Sequence, residues 1–279
     1  MNPVEGRVES LRVVVCVSHP APAAERLLEE AALIAQRLQA ELATAFSGNP
    51  ALLWSAALPF TRLVSRFGHS AGEFRPEQAR RALRLAAAEL ERLAARVAER
   101  FALSFRFLEL EAPLFVRALR PGDLLVADAG ELRALLAVTG ELALPAGSVL
   151  VLRTARPGPL VALSAGDRTT LSLVARFVGE SGAGALVHVA PAASAEEIAA
   201  ALPFPIPSGM HIHPAPDLET ALEACRRDIV ERGAAAVVVD GAIVGATLPA
   251  LLEAIEEAAA RRATTVRGRS FEPQKEANG

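Results

Sequence analysis

Residues 12–46, RVVVCVSHPAPAAERLLEEAALIAQRLQAELATAF, contain a strand, a helix and a second strand in succession. Residues 12–18 form a short, apolar, β-branched run, which both faces of a buried parallel strand require. From Pro22 the apolar residues recur every three or four positions, a spacing typical of an amphipathic helix. Glu41–Phe46 then has the pattern of a strand. Because strands that alternate with helices of this length form parallel crossovers, this stretch predicts an α/β fold.

The alternation continues through the first half of the chain. Helices are predicted at 76–100 and 131–138, and strands at 101–110, 123–127 and 149–152. Residues 47–75 are broken by proline and glycine and carry Trp54, so they are predicted to be an irregular insert that acts as a lid or a partner-binding loop.

The pattern then begins again after a linker at 156–159. LVALS at 160–164 matches VVCVS at 14–18, and AAVVVD at 235–240 matches DLLVAD at 123–128. The sequence therefore predicts two tandem units, 1–157 with the insert 47–75 and the shorter 158–279, whose tail is expected to be disordered from about residue 270. Predicted elements of the second unit are a helix after 167, strands at 185–189 and 210–213, helices from 194 and at 217–232, and a last short strand at 264–266.

Composition excludes several classes of protein. A net charge of −3 with 22% charged residues gives no electrostatic reason to bind nucleic acid. Lys275, in the tail, is the only lysine, so a Schiff-base lysine and a Walker phosphate loop are excluded. The two cysteines make a disulfide framework improbable, and the polar N-terminus lacks the pattern of a signal peptide, so we expect a cytoplasmic protein.

Residues 233–252 are apolar enough to be considered as a membrane span, since Asp240 is the only charged residue among them. It contains a β-branched run, Val237–Val239, then a turn at Asp240 and Gly241, and then a segment that reads as a helix beginning at Pro249. A spanning helix needs about 20 apolar residues without such a break. The sequence therefore predicts a strand, a turn and a helix in this window, with no membrane span.

A short apolar strand, a helix rich in ER, EA and AQRL, and then AEL with a second strand together resemble the universal stress protein family. The resemblance covers both halves except 47–75 and the tails. It implies doubly wound parallel-sheet units of the adenine-nucleotide α-hydrolase-like type, in tandem and pseudo-dimeric through their fifth strands. The nucleotide-binding members of that family have an aspartate after the first strand and G-x2-G-x9-G-[ST] after the fourth.

This sequence departs from both nucleotide motifs. Ser18 and Ser164 stand at the aspartate position. In the first half Gly130 and Gly140 keep the x9 spacing of the motif. Ala127 stands where the motif has its first glycine, and Glu141 stands where it has serine or threonine. The resemblance therefore implies a degenerate nucleotide site.

The candidate site lies at the carboxyl ends of the strands, where open α/β sheets bind ligands. Its candidate residues are Ser18, His19, Asp128, Gly130, Gly140, Ser164, Asp167 and Asp240. Each also has an ordinary structural interpretation. His19 would be a helix-entry residue, Asp167 a helix N-cap, the other aspartates turn formers, and the glycines turn or helix-end residues.

His188, His211 and His213 could hold a metal or form ordinary hydrogen bonds, and no ligand spacing with a carboxylate or cysteine supports the metal. No catalytic motif is present. We therefore predict a non-enzymatic stress-response or regulatory binding module without catalytic residues, metal or cofactor, whose partner is another protein or a small ligand. The alternatives are an ATP- or AMP-binding protein with slow hydrolysis, and an accessory regulatory domain of a transporter or sensor kinase. The pseudo-dimer is expected within one chain, with a homodimer as the other assembly.

Overall fold

The structure is a computed structural model. It describes residues 11–18, 22–46, 48, 50–58, 62–64, 70–109, 118–139, 147–152, 158–182, 184–191, 194–202 and 205–269.

The centre of the fold is one nine-stranded sheet. Its strands are β1 Arg12–Val17, β2 Glu41–Phe46, β5 Phe105–Glu109, β6 Asp123–Asp128, β7 Ser148–Leu152, β8 Leu160–Ser164, β9 Ala185–Val189, β10 Met210–Pro214 and β11 Ala236–Asp240, with β3 Arg62–Val64 and β4 Ser70–Glu73 forming a separate antiparallel pair. The strand order in the large sheet is β10-β9-β8-β11-β7-β6-β1-β2-β5. Every neighbouring pair in it is parallel except β7 and β11, which are antiparallel.

Helices cover both faces of this sheet. They are α1 Pro22–Leu38, α2 Pro50–Ala57, α3 Pro76–Arg100, α4 Ala129–Thr139, α5 Arg168–Ser181, α6 Ala195–Ala201, α7 Leu218–Glu231 and α8 Val244–Arg269. Side chains of α1, α3, α5 and α6 share one apolar core with the sheet, and those of α4, α7 and α8 share the other. Because neighbouring side chains of a strand point to opposite faces, Val13 and Val15 enter the first core, and Val14 and Cys16 the second.

The strand order repeats along the sheet. In β5-β2-β1-β6 and again in β10-β9-β8-β11, the neighbours are the third, second, first and fourth strands that each half of the chain contributes to the nine-stranded sheet. The winding direction therefore reverses between β1 and β6 and again between β8 and β11, which is where such sheets bind ligands. Because β11 runs antiparallel to β7, the carboxyl ends of the strands point in opposite directions in the two halves. The two switch points therefore lie at opposite ends of the strands.

The described parts of residues 47–75 include α2 and the β3–β4 pair, so they are more regular than the prolines and glycines predict, and a lid or partner-binding role stays a prediction. Short elements of this kind are stabilised by contacts with neighbouring segments, and α2 packs on α3. The side chain of Trp54 lies outside the described residues.

Two predictions about the C-terminal segment are wrong. The last helix begins at Val244 and not at Pro249, because Val244 and Leu248 are fully buried and extend its packed face. The short strand expected at 264–266 is instead part of this helix. Both edges of β11 are already paired, with β7 and β8, so a further strand has no place beside it. The expected disordered tail lies outside the described residues.

Candidate functional site

The first switch point brings together two of the predicted site residues. Ser18 follows β1, and Asp128 ends β6, the neighbouring parallel strand. Gly130 lies in the first turn of α4 and not in an open loop. His19, Gly140 and the substituted position Glu141 lie outside the described residues.

A carboxylate occupies this crevice. The Ser18 backbone N–H donates to Glu131 Oε2 at 2.9 Å, and the Ser18 hydroxyl donates to Glu131 Oε1 at 3.1 Å. Glu131 is itself positioned by its helix, because its backbone N–H donates to Asp128 Oδ1 at 2.8 Å. Asp128 therefore acts as a cap of α4, and its carboxylate contributes to the negative charge of the crevice.

This arrangement opposes the binding of a phosphate. Phosphate sites at the start of a helix use backbone N–H groups as donors, and such sites favour negative charge. In this crevice the N–H groups of Ser18 and Glu131 already donate to carboxylates. A phosphate would lose those donors and meet two like charges nearby, which is unfavourable at any effective dielectric constant.

At the second switch point the carboxylate belongs to Asp240, which ends β11. Its Oδ2 accepts from the Ala165 backbone N–H at 3.1 Å and from the Ser164 hydroxyl at 3.3 Å, and its Oδ1 accepts from the Ala242 N–H at 2.9 Å. Ser164 and Asp240 are both buried. The Gly166 N–H donates to the Ser164 hydroxyl at 3.0 Å. The Ala165 and Gly166 N–H groups and the Ser164 hydroxyl at this crevice therefore already form hydrogen bonds within the chain.

Asp167 caps a helix, as its ordinary structural interpretation predicts. Its carboxylate accepts from the Thr170 backbone N–H at 2.9 Å at the start of α5. The turn before it needs Gly166, whose φ of +88° lies in the left-handed region that favours glycine. The Thr170 hydroxyl lies 2.8 Å from that of Ser148 at the start of β7, so this cap also ties the second half of the chain to the first.

Sequence reasoning missed Glu131. The motif comparison singled out Glu141, whereas the carboxylate that contacts Ser18 comes from the first turn of α4. The available signal was an acidic residue directly after Gly130, at a helix start that faces the end of a neighbouring strand. In the first crevice Glu131, on the helix after β6, accepts from the Ser18 N–H that follows β1. In the second crevice Asp240, the last residue of β11, accepts from the Ala165 N–H that follows β8.

Two histidines, His188 and His213, stack on neighbouring strands of the second half. His188 and His213 are register partners on β9 and β10, and their rings stack with centroids 5.3 Å apart. The His188 Nε2–H donates to Asp228 Oδ2 at 3.0 Å. His211 has no part in this stack. Among the described residues no group of three histidine, cysteine or acidic side chains could hold a metal ion.

Burial lowers the pKa of His188 below its ordinary value of 6.5, and the neighbouring Asp228 only partly offsets this. As pH falls below that ordinary value, the unfolded chain therefore takes up a proton before the folded chain does. We expect the free energy of unfolding to decrease between about pH 7.5 and pH 5.5, and the decrease to be smaller in His188→Gln. Chemical denaturation of the native chain and of His188→Gln at both pH values measures this. An equal decrease in the free energy of unfolding of the two proteins would contradict it.

The two cysteines are core residues. Cys16 and Cys225 are both buried, and no disulfide joins them. Desolvation, and to a smaller extent Asp228, raises the pKa of the Cys225 thiol far above its ordinary value. Because the thiolate is the reactive form, Cys225 is inert at neutral pH and belongs to the core.

Neither a scan of protein-family models nor a search of curated proteins finds a match for this chain. None of the helices in the described part of the chain is long and apolar enough to cross a membrane.

Proposed function

We propose that this chain is a regulatory binding module similar to universal stress proteins, which acts in the cytoplasm without catalysing a reaction. Its two nucleotide-type crevices are closed by its own carboxylates. The observation that carries this proposal is the pair of hydrogen bonds from Ser18 to Glu131, at 2.9 and 3.1 Å. Asp240 makes the matching contacts at the second crevice.

The repeated strand order supports two tandem units within this module. Each half of the chain orders its first four strands of the nine-stranded sheet alike, and β7, the fifth such strand of the first half, lies between the two fourth strands, β6 and β11. The second half adds no fifth strand of its own among the described residues. We infer that the two units form a pseudo-dimer inside one chain, with β7 serving both.

A binding role without catalysis is supported by how the candidate groups are used. Asp128, Asp167 and Asp240 each accept hydrogen bonds from backbone N–H groups, and Cys225 is inert. A general acid or base needs to reach a substrate proton, whereas these carboxylates stabilise turns and helix starts. The module then acts through a protein partner or a small ligand bound elsewhere.

Removal of the Glu131 carboxylate tests whether this residue is structural. We expect Glu131→Ala to lower the free energy of unfolding by about 2 kcal/mol, because hydrogen bonds to a charged group contribute about 1.5–3 kcal/mol and Ser18 is partly buried. Denaturant titration measures this. Glu25→Ala is the matched control, since Glu25 is an exposed glutamate in the first turn of α1. Its loss should cost less than about 0.5 kcal/mol.

The opposite result would favour a ligand site. A carboxylate that is held ready for a ligand is strained or poorly solvated, so its removal leaves the protein equally or more stable. If Glu131→Ala is no less stable than the native chain, the hydrogen bonds of Glu131 do not stabilise the fold, and a ligand-binding role for this carboxylate is preferred.

A further inference from the structure

A cavity of about 500 Å³ opens near the amino ends of β6 and β7, far from the closed crevice at Ser18. Its apolar wall consists of four leucines, Leu11, Leu38, Leu124 and Leu173. Arg168 and Arg176 of α5 also line it. Sites for small molecules have volumes of about 300–1,000 Å³ and combine apolar walls with a few polar groups, so this cavity has the size and composition of a binding site.

The cavity follows from the fold. Helices α1 and α5 pack on the same face of the sheet, α1 over β1, β2 and β6 and α5 over β11 and β8, so β7 lies between them. The helices meet where the Arg176 side chain donates to the Leu38 carbonyl at 3.3 Å and where Arg37 lies over the Phe177 ring. The cavity opens between the two helices, over the starts of β6 and β7.

The charges around the cavity favour an anion. Asp123 lines it, but its carboxylate is neutralised by Arg12, with Nε to Oδ1 at 2.9 Å. Arg168 and Arg176 are exposed and form no ion pair with any described residue. Two guanidinium groups therefore remain uncompensated among the described lining, and guanidinium groups bind carboxylates with two parallel hydrogen bonds.

The apolar wall favours a hydrocarbon chain. The four leucine side chains are aliphatic, and beneath them Leu38, Leu124 and Leu173 also line a smaller void whose other lining residues, such as Leu150 and Val238, are apolar. We propose that the cavity binds a monomeric aliphatic carboxylate, with its chain among the leucines and its carboxylate paired with one of the two arginines of α5, Arg168 or Arg176. This inference goes beyond the proposed function and does not depend on the family resemblance.

Calorimetric titration of the full chain tests the proposal with decanoate as the probe, below the concentration at which decanoate forms micelles. Decanol and decyltrimethylammonium keep the chain but change the head, and butyrate keeps the head but shortens the chain. We expect decanoate to bind with the highest affinity, decanol at least about tenfold more weakly, and butyrate and the ammonium compound not at all.

Three variants locate the site. Arg168→Gln with Arg176→Gln should weaken decanoate binding at least about tenfold, because the charged partners of the carboxylate are lost. Ser172→Phe places a ring in the cavity that Ser172 lines and should abolish binding. Arg81→Gln, an exposed arginine on α3 without an ion pair to a described residue, is the control and should bind as the native chain does.

Three results would overturn the proposal. They are no decanoate binding by the native chain, equal binding of decanoate and the ammonium compound, and unchanged binding by the double glutamine variant. Thermal melting of each variant shows whether it is folded. If Ser172→Phe does not fold, the two surface arginines still decide the question.

Discussion

Residues 1–157, expressed alone, are expected to be insoluble or to associate as dimers. In the full chain β7 pairs with β11 through five register partners, from Ser148 with Asp240 to Leu152 with Ala236. Removal of the second half leaves that edge of β7 unpaired. All five residues of β7 are buried in the full chain, so the fragment would expose an apolar edge of the kind that aggregates.

Sedimentation of the purified fragment and its unfolding in denaturant measure this effect. Co-expression with 158–279 is the control, since it restores the β7–β11 pair and should return soluble material. A soluble, monomeric fragment with the stability of the full chain would contradict the prediction. It would show that β11 is not needed to protect β7.

Asp123→Leu is expected to lower the free energy of unfolding by about 3–5 kcal/mol, because it leaves the buried Arg12 charge without its partner. Arg12 and Asp123 are register partners at the starts of β1 and β6, and each is about 3% exposed. Asp123 also accepts from the Arg120 backbone N–H at 2.7 Å. Its hydrogen bond to Arg12 is the main cause that raises the pKa of that guanidinium.

Denaturant titration with two further proteins separates the causes. Arg12→Met together with Asp123→Leu removes both charges and should recover most of the loss, since a buried ion pair and an apolar pair of similar size are often comparable in stability. Arg106→Ala breaks a half-exposed pair with Glu41 between β5 and β2, which should cost less than about 1 kcal/mol. A loss below about 1 kcal/mol in Asp123→Leu would show that the buried charge finds another partner.

Hydrophobic periodicity predicts much of the fold. The helices that start at Pro22 and Pro76 and the strand Ala185–Val189 lie where the sequence predicts them. These segments are long or fully buried, so the pattern of apolar residues reflects their environment directly. Thr264 and Val266 favour a strand locally, yet the helix that begins at Val244 continues through them, because helix extension is cooperative and β11 has no open edge.

The candidate site was predictable in part. Strand order alone brings Ser18 close to Asp128 and Ser164 close to Asp240, because carboxyl ends of neighbouring parallel strands share one edge. The role of Glu131 depends on how the first turn of α4 is oriented toward β1, and no local pattern encodes that angle. The cavity beside Arg168 could not be predicted from the sequence either, since it arises where two helices from different halves of the chain meet.

Titration of magnesium-ATP into the full native chain, followed by calorimetry at physiological ionic strength, tests most directly the proposal that the two crevices bind no nucleotide. Glu131 and Asp240 occupy the donors that a triphosphate would need at the two switch points. We therefore expect no binding heat from ATP up to millimolar concentrations, and no hydrolysis of the nucleotide. Saturable binding with a micromolar dissociation constant would contradict the closed crevices and establish the chain as a nucleotide-binding protein.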